Sequence, residues 1–90
     1  MSTESRQLTS AQSRALDLVS YLAVNLVDHP DDVRVSLAVK EGRDVITLSL
    51  HPDDQGQFIG KGGQTVRAIR TLLSAINMRW DLKLMLELAE

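Results

Sequence analysis

Gly60, Lys61, Gly62 and Gly63 put three glycines into four residues in the middle of an otherwise helix-forming stretch. Glycine weakens a helix interior and supplies the positive φ angles that other residues avoid, so the chain is expected to turn here. Before the turn, His51-Pro52-Asp53-Asp54 carries helix-start signals: proline for the first helical position and acids for the first turn. After it, Val66, Ile69, Leu73 and Ile76 recur at spacings of three and four, with Ala68, Leu72 and Ala75 widening that face. The pattern predicts a short helix running to about Ile59, a glycine turn, and a long helix from Thr65 with its exit over Asn77 to Asp81.

The rest of the chain supplies partners for those helices. Thr9 and Gln12 have the spacing of a capping box. Ala15, Leu18, Val19, Leu22 and Leu26 follow as one apolar stripe, and the helix is expected to stop near Asp28, because His29 precedes Pro30 and is pushed out of helical geometry. Val33, Val35, Leu37 and Val39 alternate with polar or small residues, a half-buried strand. Glu41-Gly42-Arg43-Asp44 is a turn, and Val45 to Leu50 is the returning antiparallel strand. Leu82, Leu84, Leu86 and Leu88 alternate as a third strand. The order α-β-β-α-α-β predicts an α+β fold: a three-stranded mixed sheet with helices packed on one face and a parallel, right-handed crossover into the last strand. Trp80 is expected to close the core at the end of the long helix, with a subunit contact as the alternative, and Tyr21 to edge the packing of the first.

With 90 residues the chain has room for one domain, taken as residues 11–90, after a frayed or disordered segment 1–10. It has no cysteine, which excludes thiolate chemistry and disulfides, and no apolar run of membrane-spanning length. The expected location is the cytoplasm. The formal net charge is −2, but from Gln55 to Trp80 there are four cations (Lys61, Arg67, Arg70, Arg79) and no acid. That asymmetry is compatible with an anionic partner at this stretch, although four cations along a helix also describe ordinary solvated surface.

A glycine turn ahead of a helix offers backbone N–H groups and the positive end of a dipole to a phosphate. A tight connection between helices also needs glycine, so the spacing alone says little. Two phosphate-binding alternatives fail: Gly56 to Lys61 is one residue short of a P-loop and Gly62 replaces its hydroxyl, while a dinucleotide fingerprint needs its glycines directly after a strand. Tyr21, Phe58 and Trp80 are the only aromatics and none falls on an expected strand, against a base-stacking sheet.

In this context the chain resembles a type II KH domain, most closely the small single-domain bacterial KH proteins of the KhpA family. The residues that carry the resemblance are Val27 to Val35, His51-Pro52-Asp53-Asp54, and Ile59-Gly60-Lys61-Gly62-Gly63 followed by Val66-Arg67-Ala68-Ile69-Arg70. The resemblance implies binding of single-stranded RNA, with Gly60 to Gly63 meeting phosphates, Ile59, Val66 and Ile69 as a candidate apolar floor, and Arg67 and Arg70 at its rim. Ile69 is as readily a core residue. Gln64 stands where the family often has a base. The family also implies a role as RNA chaperone or post-transcriptional regulator, a homodimer or a heterodimer with a KhpB-like multidomain KH protein, and links to cell elongation, cell shape and envelope or cell-wall organisation. The alternative is a protein–protein interaction module whose partner binds most of the RNA.

The two His-Pro-Asp-Asp segments offer metal-ligand types: His29 with Asp31 and Asp32, and His51 with Asp53 and Asp54. Punctuation of helix ends explains them more simply. No metal, cofactor or membrane partner is expected, and no nucleophile–base pair suggests an enzyme.

Overall fold

The computed structural model describes residues 8–89. Its elements are α1 (Ser10–Val24), a short 3₁₀ turn (Pro30–Asp32), β1 (Arg34–Lys40), β2 (Arg43–Ser49), α2 (Pro52–Trp80) and β3 (Met85–Leu88). The strands lie in the order β1-β2-β3. β1 runs antiparallel to β2, and β3, reached through α2, runs parallel to it. The expected α+β architecture with a mixed sheet is therefore present. Of the segment 1–10, residues 1–7 fall outside the described residues.

α1 begins with the capping box read from the sequence. Thr9 Oγ1 accepts from the Gln12 N–H and Gln12 Oε1 accepts from the Thr9 N–H, both at 3.1 Å. Gln12 Nε2 also donates to Asp44 Oδ2 at 3.4 Å, tying the helix start to β2. The buried stripe is Ala15, Val19 and Ala23, spaced by four, with Leu16 and Leu22 beside it. Leu26, placed on the stripe by periodicity, is instead 52% exposed, since α1 ends at Val24, short of the expected Asp28. Asn25 caps it: its backbone N–H reaches Leu22 O, and its side chain donates to Tyr21 O at 2.7 Å. Tyr21 stands largely exposed.

β2 is the central strand, and Ile46 and Leu48 are fully buried beneath the helices, together with Phe58, Ile69, Leu73, Leu84 and Leu86. β1 is an edge strand and only half buried; Val39, expected inward, is exposed near the hairpin. Glu41 and Gly42 both have positive φ and join Lys40 directly to Arg43, so the turn is two residues long and Arg43 and Asp44 already belong to β2. β3 is shorter than the leucine alternation predicts. Asn77, in the last turn of α2, engages both backbone polar groups of Leu84: Nδ2 donates to Leu84 O at 3.0 Å and Oδ1 accepts from Leu84 N at 3.1 Å. That occupies the backbone of Leu84 before the ladder to β2 begins.

The two helices expected on either side of the glycines form one helical element of 29 residues. Within it Gly62 and Gly63 have φ of +74° and +70°. Consecutive left-handed residues do not lie on a straight right-handed helix, so the turn exists, placed two residues later than its first glycine. Trp80 does not close the core. It is 36% exposed, with the guanidinium groups of Arg14 and Arg79 at 5.6 and 5.9 Å from its ring.

Among the described residues, one polar residue is fully buried. Asp54, in the first turn of α2, accepts from the backbone N–H groups of Asp28 and His29, one on each carboxylate oxygen, both at 3.0 Å. Removing the carboxylate strands two donors in a part-buried site. Asp54→Ala is expected to lower unfolding free energy by about 3 kcal/mol, and Asp54→Asn by less, since one acceptor oxygen remains. Chemical denaturation measures both; a loss for Asp54→Ala within the range of an ordinary surface substitution contradicts the role.

Candidate functional site

The positions singled out in the sequence separate into three groups. Gly60, Gly62, Gln64 and Arg67 are exposed around the turn, and Ile59 is 56% exposed just ahead of it. Val66 and Ile69 belong to the core, at 7% and 2% exposure, so Ile59 is the one member of the expected apolar floor that faces solvent broadly. Arg70 lies seven residues, about 10 Å along the axis, beyond Gly63. The Lys61 side chain is outside what the structure describes.

The turn is built by local chemistry. A side chain at Gly62 or Gly63 would be strained at these φ values, whereas Gly60 has ordinary backbone geometry and open space around it. Arg67 folds back and donates from Nη2 to the Gly62 carbonyl oxygen, so its cation is held against the loop.

Arg70 does something different. Its Nη2 donates to Leu86 O at 3.1 Å, across to the edge strand β3. Among the described residues no strand pairs with the outer edge of β3, and α2 side chains meet it instead, Arg70 at Leu86 and Asn77 at Leu84. Between them runs a shallow groove lined by Arg70, Leu73, Ser74, Asn77 and the backbone side of Leu84 to Leu86. It continues past Asn77 and Met85 to Lys83 and the hairpin residues Gly42 and Arg43. From Gly63 to Asn77 is fourteen residues of helix, about 21 Å. α2 thus carries the glycine turn and, about 10 Å farther along its axis, the start of a groove lined by Leu73, Leu84 and Leu86 with Arg70, Lys83 and Arg43 beside them.

Arg43, Asn77 and Lys83 were not singled out from the sequence. A signal for Asn77 was available: Arg70, Ser74 and Asn77 recur at i, i+4 and i+7, a polar flank beside the apolar face. Arg43 and Lys83 carry no local signal, since only the sheet brings the hairpin beside the end of α2. Arg79, counted among the cations of the stretch, is engaged with Trp80 instead.

Away from the groove, the two His-Pro-Asp-Asp segments meet. His29 and His51 stack with ring centroids 3.9 Å apart, and each has a nitrogen 3.7 Å from Asp53 Oδ2. Among the described residues this trio is the group whose atoms could hold a metal ion. No helix among them is long and apolar enough to cross a membrane.

Residues 16–88 match the family described as KhpA/KhpB, KH domain. The chain is similar to the RNA-binding protein KhpA of Halalkalibacterium halodurans, 52% identical over 59 residues, covering 64% of this chain and 76% of that protein. It is 44% identical over 64 residues to RNA-binding protein KhpA of Mycobacterium tuberculosis strain H37Rv, covering 71% and 80%. With RNA-binding protein KhpA of Bacillus subtilis it shares 39% over 72 residues, covering 80% and 89%.

The backbone at the turn gives a direct test. Gly62→Ala and Gly63→Ala are each expected to destabilise the fold by about 1 kcal/mol or more. Gly60→Ala is expected to be neutral or stabilising by up to about 1 kcal/mol, as for a glycine in ordinary helical geometry. Thermal melting of the three variants decides it; equal effects at all three positions contradict the left-handed pair.

Proposed function

The chain belongs to the KhpA/KhpB KH-domain family, and from that premise we propose that it binds single-stranded RNA along α2. The observation that carries the reading is that the left-handed Gly62–Gly63 turn and the groove between α2 and the edge of β3 are carried by the same helix, with Arg70 at the groove's near end. The phosphates of a short single strand meet the backbone around Gly60 to Gly63, with Lys61, Gln64 and Arg67 beside them. The bases turn into the groove, where Ile59 stands at the loop end and Arg70 farther along. Val66 and Ile69 act from beneath, by packing the helix that carries these groups. Arg70 uses one of its five donors on Leu86 O, which orients the guanidinium along the groove and leaves others for RNA. No catalytic step is part of this reading.

Four nucleotides on so few cations give modest affinity, because association itself costs several kcal/mol. A second RNA-binding surface held nearby raises avidity. The exposed flank of α2 formed by Ala68, Leu72 and Ala75 suits a subunit contact, since alanine permits close approach of another helix. The proposed assembly is a homodimer or a heterodimer with a KhpB-like multidomain KH protein. The family resemblance extends the proposal to a cytoplasmic RNA chaperone or post-transcriptional regulator linked to cell elongation, cell shape and envelope homeostasis.

Gly60 and Lys61 allow the loop to be tested without strain at the left-handed pair. The double substitution Gly60→Asp with Lys61→Asp places two negative charges where phosphates approach, and affinity for a single-stranded RNA pool is expected to fall by about 10-fold or more. Circular dichroism should show an intact fold. Unchanged affinity in the folded variant refutes the loop assignment. Assembly is tested separately by light scattering across a concentration series: Leu72→Glu is expected to abolish self-association or partner binding. A wild type that stays monomeric and binds no KH partner overturns the assembly.

A further inference from the structure

We propose that His29, His51 and Asp53 form a site for a zinc-class divalent ion at the start of α2. Local sequence suggests two separate clusters, each a histidine with the acids that follow it. The fold instead selects across the two segments. One ligating atom from each of His29, His51 and Asp53 lies within 4.8 Å of the other two. His29 Nε2 and His51 Nδ1 each sit 3.7 Å from the same carboxylate oxygen, Asp53 Oδ2. Tetrahedral ligation with bonds of about 2.0–2.1 Å places ligand atoms about 3.3–3.4 Å apart. The approach needed is a few tenths of an ångström on these two edges, and the two imidazoles, stacked at 3.9 Å, turn out of their stack so that both in-plane lone pairs point at one ion.

The donor set selects the ion. Two imidazoles and a carboxylate favour zinc and its late first-row neighbours over magnesium or calcium, which prefer all-oxygen shells. Three protein ligands leave an open position for water, and the partial exposure of the trio (side chains 42%, 31% and 75% accessible) lets an ion enter.

The site is held from beneath. Asp54, which is buried and spends both oxygens on the N–H groups of Asp28 and His29, fixes the backbone that carries His29 against the helix turn that carries Asp53. Such supporting bonds are what keep metal ligands in register. His51 is placed by its own role as N-cap: Nδ1 accepts from the Asp53 N–H at 3.0 Å. Ligation through Nδ1 exchanges that hydrogen bond for a metal bond, while the neighbouring Asp53 joins the same ion. The ion then ties the segment between α1 and β1 to the first turn of the helix that carries the glycine loop.

The test uses the full chain, with zinc chloride as the probe and magnesium chloride as the control, read by titration calorimetry and thermal melting. One zinc per chain, a higher melting temperature in zinc and no response to magnesium are expected. His29→Gln removes one ligand and leaves the backbone bond to Asp54. His51→Asn removes the other imidazole and keeps a side-chain oxygen that can cap the helix. Each is expected to weaken zinc binding by about 10-fold or more with circular dichroism unchanged. Wild-type protein that binds no zinc at submillimolar concentration overturns the proposal. So does undiminished binding by both variants.

Discussion

The two hydrogen bonds accepted by Asp54 join the first turn of α2 to the segment that leaves α1. A buried carboxylate is costly unless its oxygens are paired, and here each oxygen has a backbone donor. The direction in which α2 leaves the sheet is therefore fixed at its first turn as well as by its apolar packing. Phe58, Val66, Ile69 and Leu73 reach the core from a helix that Asp54 anchors at its start. Gln55 adds a second tie, its amide donating to Ala89 O at 2.8 Å, beside the end of β3. The loop at Gly60 to Gly63 projects from this anchored helix.

At the other end of α2 the same logic reappears with different residues. An edge strand presents unpaired backbone groups that invite another strand. Here Asn77 takes both groups of Leu84 and Arg70 takes the carbonyl of Leu86. The helix thereby holds the edge of β3 at a distance that leaves a groove rather than a closed contact. A surface made this way displays polar atoms above an apolar floor, which is what a base with a π-face and hydrogen-bonding edges requires. The outer face of the sheet is plainer: Lys40 and Glu87 pair across it at 2.6 Å, both about half exposed, a contact worth little to stability.

What the sequence disclosed and what it hid divide along the range of the interactions. Thr9 with Gln12 and the strand at β2 are written in residues a few positions apart and are found where the pattern places them, while the glycine turn is found at Gly62 and Gly63, inside one helical element rather than between two helices. Asp54 was legible as an acid in a helix start, yet its partners lie 25 and 26 residues away and leave no local trace. The ends of elements were misread for a related reason. Leu26 continues the apolar period of α1, but Asn25 ends the helix by bonding back to Tyr21. Leu82 and Leu84 continue the alternation of β3, but Asn77 claims the backbone first. At the candidate site, the glycines stood out by composition, and Arg67 and Arg70 were singled out through the family resemblance. The division of labour between the two arginines was not legible, because it depends on Leu86 arriving alongside α2 by way of the sheet.

The central claim is that single-stranded RNA occupies one continuous path from the glycine turn along the groove between α2 and β3. Amide chemical shifts of the labelled full-length protein, followed during titration with a short single-stranded RNA, report that path residue by residue. The account predicts that the perturbed amides run from Ile59 to Arg70 and through Leu84 to Leu86, with Tyr21 and the outer face of β1 unmoved. Perturbations confined to the Leu72 and Met78 flank or to the outer face of the sheet, with the glycine turn silent, would contradict it.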